Sequence, residues 1–169
     1  MLLDPNTRIP VNSAATLAAP LIVGSVTLPN RVFLAPMSGV SDIVFRGLAE
    51  RAGAGMVVSE MVASAELCGS HPESELRASG GGLRHHVVQL AGREAHWMGE
   101  AAKRAEALGA AIIDINMGCP AKKVCNVMAG SALMKDEPLV ARILEAVVGA
   151  VSVPVTLKFR TGWDKLNRN

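Results

Sequence analysis

The sequence predicts an α/β fold, a parallel sheet covered by helices. Short and almost wholly apolar runs alternate with longer segments whose apolar residues recur at helical spacing. The runs lack the in-and-out alternation of a sheet wetted on one face, as expected of strands covered on both sides. Their polar residues also gather at the C-terminal ends: Ser38, Glu60, Gln89, Asn116 with Cys119, and Lys158 with Arg160. Ligands bind at that end of parallel α/β sheets.

In chain order, residues 1–20 contain Pro5, Pro10, scattered Asn, Ser and Thr, and no sustained period, so a flexible leader is expected. Leu21-Ile22-Val23 and Val26-Thr27-Leu28 flank Gly24-Ser25 and read as a tight hairpin that would plug the bottom of a barrel. Val32-Phe33-Leu34 is expected to be a strand buried on both faces, ended by Ala35-Pro36-Met37-Ser38-Gly39. Ser41 is placed to cap the next helix, which carries Val44, Phe45, Leu48 and Ala52 and stops at Gly53 and Gly55.

Met56 to Met61 reads as the second strand, and Ala63 to Gly82, broken by Pro72 and Gly80-Gly81-Gly82, as a long loop or broken helix. His86 to Leu90 is the third strand. Between Glu94 and Leu108, Trp97, Met98, Ala101, Ala102, Ala105 and Leu108 form one stripe, with Glu100, Lys103, Arg104 and Glu106 facing away from it. The strand Ala111 to Asn116 follows. Asp136 then caps a helix with Pro138 in its first turn and a stripe of Leu139, Val140, Ile143, Leu144, Val147 and Val148. Val153 to Arg160 is the fifth strand.

With 169 residues, half of them apolar, one sizeable core in one domain is expected. A net charge of +2, with three Phe, two Trp and no Tyr, announces neither a nucleic-acid binder nor a stacking platform for bases. Cys68, Cys119 and Cys125 are too few and odd in number for a disulfide framework, which favours a reducing, cytoplasmic setting. Pro10, Asn12, Ser13, Pro20, Gly24, Ser25 and Pro29 interrupt the uncharged stretch between Arg8 and Arg31, so no membrane span is expected. The Cys119–Cys125 spacing fits no common metal clip, and Cys68 with His71 is half a zinc pattern without its second half, so no metal is expected.

Asp114-Ile115-Asn116-Met117-Gly118-Cys119-Pro120 is the stretch around which the chain is organised. A cysteine between glycine and proline belongs neither to a helix interior nor to a central ladder, so its thiol is displayed on a loop. Against that stands the usual fate of a free cysteine, an inert buried thiol; a displayed one can serve as nucleophile, metal ligand or general acid. Lys158 interrupts an apolar strand, either snorkelling to the sheet rim or meeting a ligand. His85 and His86 read as surface or core-edge residues, and Lys122 and Lys123 as solvated charges or phosphate contacts.

Asn116-Met117-Gly118-Cys119-Pro120, with Leu28-Pro29-Asn30-Arg31, Ala35-Pro36-Met37, Gln89 and Leu157-Lys158-Phe159-Arg160, resembles the flavin-dependent tRNA-dihydrouridine synthases, most closely their bacterial DusB-like branch. The likeness runs from about Leu21 to Gly162. It implies a parallel (β/α)8 barrel of TIM type, incomplete here, with residues 21–169 supplying about five of its eight units. It implies reduction of uridine in tRNA to 5,6-dihydrouridine, with FMN delivering hydride to C6, Cys119 as general acid at C5, and NADPH as reductant. A thiol suits that step, because its ordinary pKa of about 8.5 keeps it mostly protonated at neutral pH. By the same likeness Gln89 and Lys158 hydrogen-bond the flavin ring, Pro36, Met37 and Ser38 lie along it, and Asn116 and Arg160 sit near flavin and uracil.

A complete barrel takes about 250 residues, so a truncated product, or one completed by another chain, is expected. The loops after the seventh and eighth strands, which commonly hold a cofactor phosphate, would be missing, as would the family's helical tRNA-binding domain. Weak FMN binding or none, and self-association through two open strand edges, are then expected. The rival readings are a flavin barrel oxidoreductase acting on a free pyrimidine and a catalytically inactive half-barrel fragment.

Overall fold

The computed structural model describes residues 14–168, so most of the expected leader, residues 1–13, lies outside the described residues. The rest of that segment contains a helical turn, Ala14–Ala18 (α1). It is tied to the body by the Arg31 amide, which donates to the Leu17 carbonyl at 2.8 Å.

Leu21–Val23 (β1) and Val26–Leu28 (β2) form the antiparallel hairpin, with Val23 opposite Val26. Gly24, at φ +57°, takes the first central position of the two-residue turn, where type II′ geometry calls for glycine. A Cβ there would also lie 2.6 Å from Pro154 Cγ, so the turn rests against the lead-in to the last strand. Val23 and Val26 pack on Val58, Val87 and Ile112. The hairpin thus closes the N-terminal end of the main sheet.

That sheet has five parallel strands in chain order: Phe33–Leu34 (β3), Met56–Ala63 (β4), Val87–Ala91 (β5), Ile112–Met117 (β6) and Val155–Phe159 (β7). Ile43–Arg51 (α2), Ser64–Cys68 (α3) with Pro72–Ala78 (α4), Ala95–Ala107 (α5), and Lys122–Cys125 (α6) with Glu137–Val148 (α7) connect them. Unbroken sequential order is the progression of a (β/α) barrel rather than of a doubly wound sheet, whose order reverses midway. The expectation of an incomplete TIM-type barrel therefore holds. Among the described residues β3 and β7 each leave one edge unpaired.

Alternation along the strands divides the chemistry between two faces. Val88, Leu90, Ile113, Ile115 and Met117 face the helices and pack with Met98, Ala101, Ala102 and Ala105 of α5 and Ile143 and Val147 of α7. Each large apolar side chain buried there contributes roughly 1.5–3 kcal/mol. Asp136 caps α7 as expected, its carboxylate accepting from the Leu139 amide at 3.0 Å.

Several local expectations differ from the structure. Asp42, not Ser41, caps α2, accepting from the Phe45 amide at 2.8 Å. Ser41 is buried instead, and its hydroxyl bonds both the Met37 amide (2.8 Å) and the Met37 carbonyl (3.1 Å), closing the turn after β3. The expected stripe of α2 is largely bare, with Val44 66% and Leu48 52% exposed, and so are Val32 and Phe33. No strand or helix flanks β3 and α2 on that side among the described residues, so the first strand is not buried on both faces. The Ala63 to Gly82 segment is the broken-helix alternative, α3 and α4. Gly130–Lys135 forms a 3-10 helix that no period in the sequence marks. No helix among the described residues is long and apolar enough to cross a membrane.

Candidate functional site

The inner face of the sheet is layered. Its floor is apolar: Val58, Val87 and Ile112, register partners on adjacent strands, lie over the hairpin. One step toward the C-terminal ends the row becomes Gln89, Asp114 and Thr156, again register partners. Two residues further along β6, on the same face, Asn116 pairs in register with Lys158.

These polar rows are wired together. Asp114 accepts from Thr156 Oγ1 at 2.6 Å and from Gln89 Nε2 at 2.6 Å. Gln89 Oε1 in turn accepts from Asn116 Nδ2 at 2.8 Å, and Asn116 Oδ1 accepts from the backbone amides of Gly118 (3.2 Å) and Cys119 (3.0 Å). On the β4 side the Gln89 amide donates to Ser59 Oγ at 2.9 Å. Burial pushes the Asp114 carboxyl above the usual carboxylate range, and the bonds from Gln89 and Thr156 and the charge of Lys158 offset part of that rise.

The half-buried Cys119 sits on a loop held from three sides. Asn116 fixes its amide. Arg160 Nε donates to the Gly118 carbonyl at 2.7 Å, binding the end of β7 to the same loop. The Cys119 carbonyl accepts from the Ser131 amide at 2.9 Å and from Cys125 Sγ at 3.5 Å. Gly130 allows that approach: it lies at φ +59°, and a Cβ on it would be 2.6 Å from the Cys119 carbonyl oxygen. The Cys119 thiol makes no hydrogen bond among the described residues.

A cleft of about 200 Å³ opens between these strand ends, lined by Pro36, Ser38, Gln89, Asn116, Cys119, Lys158 and Arg160, with Met61, Gly118 and Pro120. Every site residue expected from the sequence lines it except Met37, whose backbone is engaged in the turn with Ser41. The Pro36–Gly39 segment is steadied by Glu60, whose carboxylate accepts from the Gly39 amide at 2.5 Å. Lys158 is exposed on the edge strand, as a lysine at the sheet rim would be, and lines the cleft. A larger groove of about 480 Å³, with Arg77, Trp97 and Lys123 on its walls, shares only Met61 with the cleft. Among the described residues no group of three or more His, Cys, Asp or Glu is placed to hold a metal ion.

Sequence reasoning missed Asp114 and Thr156. The signal was present for Asp114: a carboxylate within an apolar strand needs partners as much as a lysine does, and it stands two residues from Asn116, on the same face.

The parallel barrel segment is a fold shared with solved oxidoreductases. Similar structures include histamine dehydrogenase from Rhizobium sp. 4-9 (TM-score 0.57, 14% identity, covering 85% of this chain and 33% of that one). Another is 6-hydroxypseudooxynicotine amine oxidase from Pseudomonas geniculata N1 (TM-score 0.61, 15% identity, 87% of this chain and 33% of that one). At such identities the likeness is one of fold.

Residues 33–169 match the dihydrouridine synthase (Dus) family, and the chain belongs to it. It is 60% identical over 144 residues to a probable tRNA-dihydrouridine synthase of Rhizobium leguminosarum bv. phaseoli, covering 85% of this chain and 45% of that protein. It is 60% identical over 148 residues to tRNA-dihydrouridine synthase B of Pseudomonas aeruginosa, covering 87% of this chain and 45% of that protein. The chain thus spans a little under half the length of these relatives.

Proposed function

We propose that the chain is part of the catalytic barrel of a tRNA-dihydrouridine synthase, which reduces uridine in tRNA to 5,6-dihydrouridine with FMN as hydride carrier and NADPH as reductant. The supporting observation is that Gln89, Asn116, Cys119, Lys158 and Arg160 meet in one cleft in a chain of this family. The residues suit a flavin ring. Gln89 uses one N–H on Asp114 and one lone pair on Asn116, so one donor and one acceptor remain for a heterocyclic edge. Lys158 makes no hydrogen bond among the described residues, and its ammonium is available to a ring acceptor. Pro36 and Ser38 wall the cleft beside them.

Reduced FMN, which Gln89 and Lys158 would hold, would supply the hydride for uracil C6. Cys119 would give the proton to C5, while Asn116 and Arg160 would orient the base. Lys122 and Lys123, exposed at the start of α6 just after Cys119 in the chain, are the groups that would meet RNA phosphates. Three free cysteines accord with a cytoplasmic setting.

The test is mass-spectrometric detection of dihydrouridine in unmodified tRNA incubated with the protein, FMN and NADPH. Cys119→Ala should abolish product without reducing flavin affinity. Undiminished product would remove Cys119 from the acid role, and turnover of a free pyrimidine in place of tRNA would favour that rival substrate.

A second reading, for the 169-residue chain by itself, is a barrel segment that takes up no flavin and associates through the strand edges unpaired among the described residues. No FMN uptake in equilibrium dialysis, together with a concentration-dependent sedimentation coefficient, would select it.

A further inference from the structure

Gln89, Asp114 and Asn116 are 1%, 6% and 8% exposed, so water competes little for their hydrogen bonds. Two of the three are amides, whose ends are alike in shape and opposite in hydrogen-bonding sense. Either could be turned over with no steric change. Reversing both would set Asn116 Nδ2 against the amides of Gly118 and Cys119, donor against donor, and release the loop.

We infer that Asp114 is a positioning residue: the carboxylate heads a one-directional chain of hydrogen bonds through Gln89 and Asn116 that holds the Cys119 loop in its working geometry. A carboxylate only accepts. Gln89 must therefore present Nε2 to Asp114 and Oε1 to Asn116, which must present Nδ2 to Gln89 and Oδ1 to the loop, as the distances of 2.6, 2.8, 3.2 and 3.0 Å record. Thr156 Oγ1, at 2.6 Å from the other carboxylate oxygen, completes the head of the chain. The inference deepens the proposed role of Cys119 and rests on it for its catalytic meaning.

The test uses isosteric variants of the whole chain, read by hydrogen exchange at the Gly118 and Cys119 amides and by the rate of Cys119 alkylation with iodoacetamide, resolved from Cys68 and Cys125 by peptide mass spectrometry. Thr156→Val leaves the carboxylate in place and should change neither readout. Asp114→Asn should also hold within about threefold, because Asn Oδ1 can accept from Gln89 while Nδ2 donates to the Thr156 hydroxyl oxygen. The double variant loses the charge and leaves the asparagine Nδ2 without an acceptor whenever its Oδ1 faces Gln89. Exchange at Gly118 and Cys119 should then rise at least about tenfold, with Val57 and Val87 in the sheet unchanged. In a Gln89→Leu background the same pair of substitutions should have no further effect.

Unchanged exchange in the double variant would overturn the inference, and so would a rise spread equally over the sheet. Both readouts need neither flavin nor RNA. Dihydrouridine formation surviving in Cys119→Ala would instead overturn the catalytic reading, with the exchange results intact.

Discussion

Asn116 joins strand to loop: its Nδ2 donates to Gln89 Oε1 at 2.8 Å while its Oδ1 receives the Cys119 amide at 3.0 Å. Asn116→Ala leaves buried groups unpaired on both sides, and a loss of about 1–3 kcal/mol in denaturant unfolding is expected. Asn116→Asp keeps the loop amides satisfied but sets two oxygens against each other at Gln89, so its loss should be no smaller.

Gly130 is the other support of that loop. Gly130→Ala would force a Cβ toward the Cys119 carbonyl oxygen, 2.6 Å away, from a left-handed φ of +59°. Backbone cannot yield as a flexible side chain would, so a destabilisation of about 1–3 kcal/mol is expected. The measurement is thermal unfolding beside Cys119 alkylation: an unchanged melting point with unchanged alkylation would contradict the close approach.

Asp114 gives the fold a pH dependence of defined sign. Its carboxyl is raised above its ordinary value, first by burial, so the folded state binds its proton more tightly than the unfolded chain. The resulting stabilisation is fully present below the carboxyl's unfolded value and is lost as pH rises through the raised folded value. Asp114→Asn cannot titrate. The stability difference between wild type and Asp114→Asn should therefore move in favour of the variant across that window and be constant above it. Urea unfolding at a series of pH values reads this directly, and a difference moving the other way would show that hydrogen bonding outweighs desolvation.

Much of this architecture was legible because helices and strands advertise themselves by period. Of the expected α5 stripe Met98, Ala101, Ala102 and Ala105 are buried while Trp97 and Leu108 at its ends are exposed, and the Asp136 cap and the Gly24 hairpin formed where local chemistry placed them. The cleft was legible because strand ends converge in any parallel barrel, bringing Gln89, Asn116 and Lys158 together from separate runs. Neighbour-dependent features were not legible. Ser41 and Asp42 are both good caps, and only the Met37 backbone decides between them. Val44 and Leu48 have the right spacing for a core face, but spacing cannot tell whether anything lies against it. The Asp114 network depends on register between β5, β6 and β7, which no single run reveals.

The bare face of α2 sets the last expectation. Val44 at 66%, Leu48 at 52% and Phe45 at 39% exposure leave α2 with bare apolar side chains, Val32 and Phe33 are exposed as well, and β3 has one edge unpaired among the described residues. Both features favour association, since apolar area seeks cover and a free strand edge templates pairing. The 169-residue chain should accordingly sediment as concentration-dependent oligomers. Burying one leucine contributes roughly 1.5–3 kcal/mol, so Leu48→Glu should weaken association by about tenfold or more, and Val44→Glu comparably. Neither side chain touches the cleft, so Cys119 alkylation should stay unchanged in both. If the glutamate variants associate as strongly as wild type, the contact runs instead through β7, where Phe159 is 56% exposed, and Phe159→Glu should disperse it.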